Sequence, residues 1–180
     1  GLHTMMVLDQ AEALSDDLDV RFAALVHDLG KATTQKDKLP SHPGHELRGV
    51  KLIQALTERL PVPRSARDLA LLVAEYHTHC HRALELRGKT ILKVLERTDA
   101  FRRPERFEQF LVTCEADARG RAGLEDREYP QADYLRAAFK AANAIDAAGI
   151  AKSHEGPKIP QAIYKARLAA VNQYRDSVQP

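Results

Sequence analysis

The chain has 180 residues, 44% hydrophobic and 29% charged, with a formal net charge of +2 and two cysteines. That length suffices for one good core and does not by itself demand a second domain. The charge balance excludes a strongly electrostatic nucleic-acid glue but leaves room for a local basic patch, and Cys80 and Cys114 are too few for a disulfide scaffold, which points to a reducing cytoplasm.

No stretch approaches the roughly 18 apolar residues of a membrane span, and the N-terminus lacks a signal-peptide layout. The chain opens on "GLHTMM", without an initiator methionine and with His3 already in place. It reads as a piece of a longer protein.

Almost every segment reads as helix, and alternating strand patterns are absent. A first helix spans 2–14. Asp19 is the expected N-cap of a second, from Val20 to Leu29, with Gly30 as its stop. "TTQKDKLPSHPGH" reads as a loop. A third helix runs from about His45 to Leu60. The fourth starts after Pro63 and carries Ala66, Leu69, Ala70, Val73, Tyr76 and His77 on one face. The fifth presents Ile91, Leu92, Leu95 and Thr98, and Asp99 continues that face. The sixth begins at Pro104, with Phe107, Phe110, Leu111 and Cys114 in register. "GLEDREYP" breaks the chain, and two further helices follow at about 131–148 and 160–176, separated by the loop "GIAKSHEGP". The fold class is all-α: a helical bundle over 1–125 with a helical extension over 126–180. The Ala-rich tail, with His154 alone, reads as packing.

Seven of the eight histidines fall between positions 3 and 81. His3 sits in the first helix, His27 and Asp28 end the second, His45 opens the third and His77 lies on the apolar face of the fourth. Singly, each has an ordinary reading. A helix-end histidine is usually a surface residue, and Asp99 alone would pair with a neighbouring arginine. Several on the inner faces of successive helices are another matter. A buried imidazole or carboxylate is costly unless paired or metal-bound, and a bundle interior is where facing helices assemble metal sites. "HTHCHR" could bind a soft metal by itself, but i, i+2 positions do not share a helix face. His79 and His81 therefore read as a solvated helix end. His42 is expected to be exposed in its Pro-flanked loop. Arg97, Arg102, Arg103 and Arg106 cluster near Asp99. They read either as a solvated face paired with Glu96, Glu105 and Glu108, or as phosphate or RNA-backbone contacts. Asp117 is expected in an internal ion pair with Arg119 or Arg121.

The order H, then HD, then D resembles the signature of the HD phosphohydrolase superfamily over about residues 1–120. The resemblance implies His3, His27, Asp28 and Asp99 as metal ligands. This mixed N/O set suits a divalent ion such as Ni, Mn, Co, Fe or Mg. "HDLGK" resembles families with a lysine after the HD pair, here Lys31, placed to hold a phosphate. "GHELRG" and "EYH" resemble the extra histidine motifs of the two-ion subgroup. His45 and His77 would then bind a second ion or act as proton donors. Arg48, Arg102 and Arg103 are candidate phosphate or RNA contacts.

A narrower resemblance rests on "LVHDLGK", "SHPGHE", "LERTDAFRRPERFEQFLVTCEADARGR" and "GPKIPQAI". These are similar to the C-terminal region of bacterial CCA-adding tRNA nucleotidyltransferases that carry an HD domain. The resemblance implies phosphatase, 2'-nucleotidase and 2',3'-cyclic phosphodiesterase activity, nickel as a favoured ion, tRNA near the tail helices, a cytoplasmic location and a homodimer. It also implies that a polymerase head lies upstream of these residues. The alternative expectation is a non-catalytic tRNA-binding or dimerising module that keeps its HD residues as structure. An HD enzyme acting on a signalling nucleotide fits the 95–121 stretch less well.

Overall fold

The computed structural model describes residues 1–178. The extension expected over 126–180 is thus described as far as Val178, and residues 179 and 180 lie outside the described residues. Helices α1 (Leu2–Leu14), α2 (Leu18–Val26), α3 (His45–Arg59), α4 (Arg64–His81), α5 (Gly88–Arg97), α6 (Pro104–Arg119), α7 (Pro130–Asn143), α8 (Ala147–Lys152) and α9 (Lys158–Val178) are joined by turns and short 3-10 segments. No strand occurs among the described residues, as the lack of period-two patterning requires. Among them, too, no helix is long and apolar enough to cross a membrane.

At the centre, α2 packs on α4, and α1, α3 and α6 surround that pair. Ala23 and Ala24 of α2 and Ala70 and Ala74 of α4 are fully buried, and small residues on both helices allow the axes to approach closely. Larger side chains fill the rest of the interior: Ile53, Leu69, Ile91, Leu95, Phe110 and Leu111 are inaccessible to solvent. Each such burial contributes about 1.5–3 kcal/mol before the entropy of ordering is set against it. Leu135 and Ala138 of α7 and Val171 of α9 join the same buried cluster.

Helix boundaries follow local chemistry. Pro130 and Pro104 open their helices at the first turn, where a missing N–H costs nothing. The N-cap of α2 is Asp17, two residues before the expected Asp19. Its Oδ1 accepts from the Asp19 N–H at 2.8 Å, and its Oδ2 accepts from Gln109 Nε2 of α6 at 2.6 Å. One carboxylate thus starts α2 and fastens it to α6, which a purely local reading of caps misses.

The second helix is also shorter than expected. It ends at Val26, with His27 as its C-cap, and a 3-10 turn over Leu29–Thr33 follows. Gly30 lies inside that turn and is not the helix stop. A Cβ at Gly30 would lie 1.9 Å from the His45 carbonyl oxygen and 2.6 Å from the Gly49 nitrogen. The glycine therefore permits backbone contact between the HD turn and α3, and this contact carries His45 towards Asp28.

The fifth helix closes with a left-handed residue. Asp99 has φ 59°. Its N–H donates to the Glu96 carbonyl at 3.0 Å, and the Ala100 N–H donates to the Leu95 carbonyl at 3.0 Å. This is the Schellman arrangement, with Asp99 in the position usually held by Gly or Asn.

Candidate metal centre

His27 sits where α2 gives way to the 3-10 turn. Its Nδ1–H donates to the Ala24 carbonyl at 2.7 Å, and the ring is 1% exposed. Three other imidazoles are held in the same way. His3 Nδ1 donates to the Gly120 carbonyl at 2.8 Å, His77 Nδ1 to Val73 at 2.8 Å and His45 Nδ1 to His42 at 2.9 Å. A backbone carbonyl at Nδ1 fixes the tautomer and leaves the Nε2 lone pair for another partner.

Those Nε2 atoms face two carboxylates, buried Asp117 and half-buried Asp28. Asp117 Oδ1 lies 3.0 Å from His3 Nε2 and 3.3 Å from His27 Nε2. Asp28 Oδ2 lies 3.4 Å from His27 Nε2 and 3.8 Å from His3 Nε2. Asp28 Oδ1 lies 3.6 Å from both His45 Nε2 and His77 Nε2, and these two nitrogens are 3.4 Å apart. Two groups result, His3–His27–Asp28–Asp117 and Asp28–His45–His77. In each, the donor atoms lie within 4.8 Å of one another. Asp28 belongs to both.

The donor chemistry fits a cation. Buried His27 Nε2 and Asp28 Oδ1 have no hydrogen-bond partner, although charged or polar atoms stand 3.3–3.6 Å away. His45 and His77, each donating through Nδ1 to a backbone carbonyl, bring their two Nε2 atoms together. A divalent ion satisfies such a set of imidazoles and carboxylates.

The electrostatics point the same way. Burial alone would raise the Asp28 carboxyl, but His27, His77 and Lys31 outweigh it and hold it well below the usual range. For Asp117 the same burial is overcome by His27, His3 and His81. Burial works against charge on His27, yet Asp117 and Asp28 push it up to about 10. The bond to Asp117 raises His3, and burial lowers His45. Lys31 Nζ donates to Asp28 Oδ2 at 2.6 Å, with its side chain one-third exposed at the rim.

Of the expected ligands, His3, His27 and Asp28 come together, and Asp99 does not. The stripe of α5 ends at Thr98, and the left-handed turn sends the Asp99 carboxylate outwards. There Arg102 donates to it through Nε at 2.9 Å and Nη2 at 3.1 Å. The second carboxylate of the cluster is Asp117. The expected pairing with Arg119 or Arg121 also fails, because Arg119 reaches Glu115 instead. Spacing did hold the signal: Phe110, Cys114 and Asp117 fall at i, i+4, i+7 on one face of α6, and all are buried.

Arg48 donates to Thr33 Oγ1, Thr34 Oγ1 and the Pro43 carbonyl. It straps the loop after the HD turn, with its guanidinium donors committed to that loop. Arg102 pairs with Asp99 and Arg103 with Glu105. His42 is half-buried beside Thr34, not exposed. His81 is no solvated helix end: its Nε2 donates to Asp117 Oδ2 at 2.7 Å. Its place one turn after His77, at i+4, was the signal.

The family model described as HD domain matches residues 1–106, more than half of the chain. The chain belongs to the HD domain family. His3, His27, Asp28, His45, His77 and His81 of this HD domain lie inside the matched stretch, and Asp117 lies beyond it. Two similar curated proteins are both named Multifunctional CCA protein. That of Pseudomonas fluorescens (strain SBW25) is 54% identical over 177 residues, and that of Thioalkalivibrio sulfidiphilus (strain HL-EbGR7) is 56% identical over 176. The matches take in 98% and 97% of this chain but only 43% of each relative. No solved structure matches the chain.

Proposed function

We propose that this HD domain is a metal-dependent phosphohydrolase belonging to a CCA-adding tRNA nucleotidyltransferase, with phosphatase, 2'-nucleotidase and 2',3'-cyclic phosphodiesterase activity. One observation carries the reading: four imidazoles, each fixed through Nδ1 on a backbone carbonyl, present Nε2 to two carboxylates, buried Asp117 and half-buried Asp28. His3, His27, Asp28 and Asp117 would hold one divalent ion, and Asp28, His45 and His77 a second. Nickel is the favoured candidate, with manganese, cobalt or magnesium as others. The names of the similar proteins support tRNA as the partner of the whole enzyme, in the cytoplasm; a homodimer is part of the same reading.

A divalent ion held there would supply Lewis-acid charge for a phosphoryl oxygen and for activation of water. The chain does the rest. Asp28 orients both groups of imidazoles at once. Lys31 stands at the rim with its ammonium already on Asp28, where a phosphoryl oxygen would meet a point charge. Burial lowers the pKa of His45, which favours a role as ligand or proton carrier. His27, His77 and Asp117 are buried among the helices that hold them, which strengthens their interactions.

The test is hydrolysis of a 2',3'-cyclic nucleotide by the full chain, with and without added Ni2+ or Mn2+. Metal-dependent hydrolysis is expected, and Asp28→Ala should abolish it while leaving helical circular dichroism intact. Near wild-type hydrolysis by that variant overturns the reading. Metal uptake with no hydrolysis would favour the non-catalytic tRNA-binding module instead.

A further inference from the structure

One histidine at the centre is wired differently from the other four. His81 closes α4, and its Nδ1 meets no backbone carbonyl. It lies 2.8 Å from the Tyr129 hydroxyl oxygen, and that hydroxyl donates to Cys80 Sγ at 3.3 Å. Tyr129 is buried in the connection between α6 and α7 and forms the N-cap of α7. An ionised carboxylate only accepts, so the 2.7 Å contact makes His81 Nε2–H the donor to Asp117 Oδ2, while the Tyr129 hydroxyl holds the other side of the ring. The partner at Nδ1 thus sets His81, held by a side-chain hydroxyl, apart from the four imidazoles held by backbone carbonyls.

Asp117 is divided accordingly. Its Oδ1 faces His3 and His27, and its Oδ2 is taken by His81. The bond to Oδ2 sets the rotation of the carboxylate and so the direction of Oδ1. The anchor of that bond, Tyr129, lies outside the residues matched to the HD domain.

We propose that His81 and Tyr129 form a positioning relay that aims Asp117 Oδ1 into the ion site, so that the connection after α6 is a working part of the metal centre. This rests on the metal reading above. Neither residue touches substrate; each acts through Asp117.

The experiment measures Mn2+ affinity of the metal-free full chain by calorimetry and follows the Co2+ visible spectrum. It compares wild type with His81→Ala, His81→Gln and Tyr129→Phe. Loss of an outer partner of a metal ligand weakens binding by about 10–100-fold, and this is the loss expected for His81→Ala, with an altered Co2+ spectrum. His81→Gln keeps an N–H donor near the Nε2 position and should restore affinity to within a few-fold. Tyr129→Phe should weaken Mn2+ binding by about tenfold, and it decides alone if His81→Ala fails to fold. Wild-type affinity in both His81→Ala and Tyr129→Phe overturns the relay while leaving the metal reading intact. Failure of His81→Gln to restore binding overturns the donor role. If wild type takes up neither Mn2+ nor Co2+, the metal reading and the relay fall together.

Discussion

Exchanging carboxylate for amide at two aspartates separates the centre from its surroundings. Asp117 is 5% exposed and receives His3, His27 and His81. Asp117→Asn removes an anionic ligand and leaves His3 and His27 facing Asp28 alone. Loss of a mere outer partner already costs up to about 100-fold in metal affinity. Loss of a ligand should exceed that, which is more than about 2.8 kcal/mol at 1.4 kcal/mol per tenfold. The metal-free fold should lose roughly 3 kcal/mol, the lower end for stripping a partner from a buried ion pair, because Asp28 remains. Asp99→Asn, by contrast, keeps a residue type that tolerates the left-handed turn. It gives up only the exposed pair with Arg102, whose side chain is 82% exposed, and should change neither stability nor affinity measurably. Isothermal titration with Mn2+ and urea unfolding of the three proteins supply both numbers. If Asp99→Asn loses metal and Asp117→Asn keeps it, the assignment of the centre is refuted.

Gly30→Ala would drive a methyl into the His45 carbonyl and the Gly49 nitrogen, both backbone atoms that cannot rotate away. A loss of about 3 kcal/mol or more is expected, together with weakened binding at His45; a melting temperature within a degree or two of wild type contradicts the close contact. Metal uptake should be proton-linked, because His27 must release the proton that its carboxylates hold up to about 10. Below that value affinity should rise by about tenfold per pH unit; calorimetry in buffers of different ionisation enthalpy should find proton release at pH 8, and an affinity flat above pH 7.5 rules the mechanism out. The metal-free protein should show the matching stability profile. The raised His27 contributes fully below its ordinary 6.5 and loses that contribution as pH climbs towards about 10. The lowered Asp28 and Asp117 contribute above their ordinary 3.8 and lose that contribution as pH falls. Thermal melts should therefore peak between about pH 4 and 6.5 without metal and shift upwards with it; a metal-free protein that gains stability from pH 7 to 10 contradicts this.

Much of the fold was legible where a strong local signal agreed with packing. Pro63 and Pro104 mark the starts of α4 and α6, and the stripe from Ala66 to His77 is buried as its period requires. The misses share a cause: a residue whose role depends on something distant in sequence. Asp17 outranks Asp19 as a cap because Gln109 also holds it. Gly30 is needed for an approach to α3, not for a turn. Asp99 sits in step with a helical stripe, but the backbone leaves the helix just before it. Asp117 and His81 lie at helical spacing from Phe110 and His77, yet only the meeting of α1, α4 and α6 shows what they face. Within "GIAKSHEGP", read as a loop, α8 ends; Asp146 starts this helix by accepting from the Gly149 N–H at 2.9 Å, a weak signal in an Ala-rich stretch.

Anomalous diffraction from crystals of the full chain grown with Mn2+ tests the central claim most directly. A peak is expected among His3, His27, Asp28 and Asp117, with any second peak between Asp28, His45 and His77. Manganese bound only elsewhere, with no peak in the first group, would contradict it.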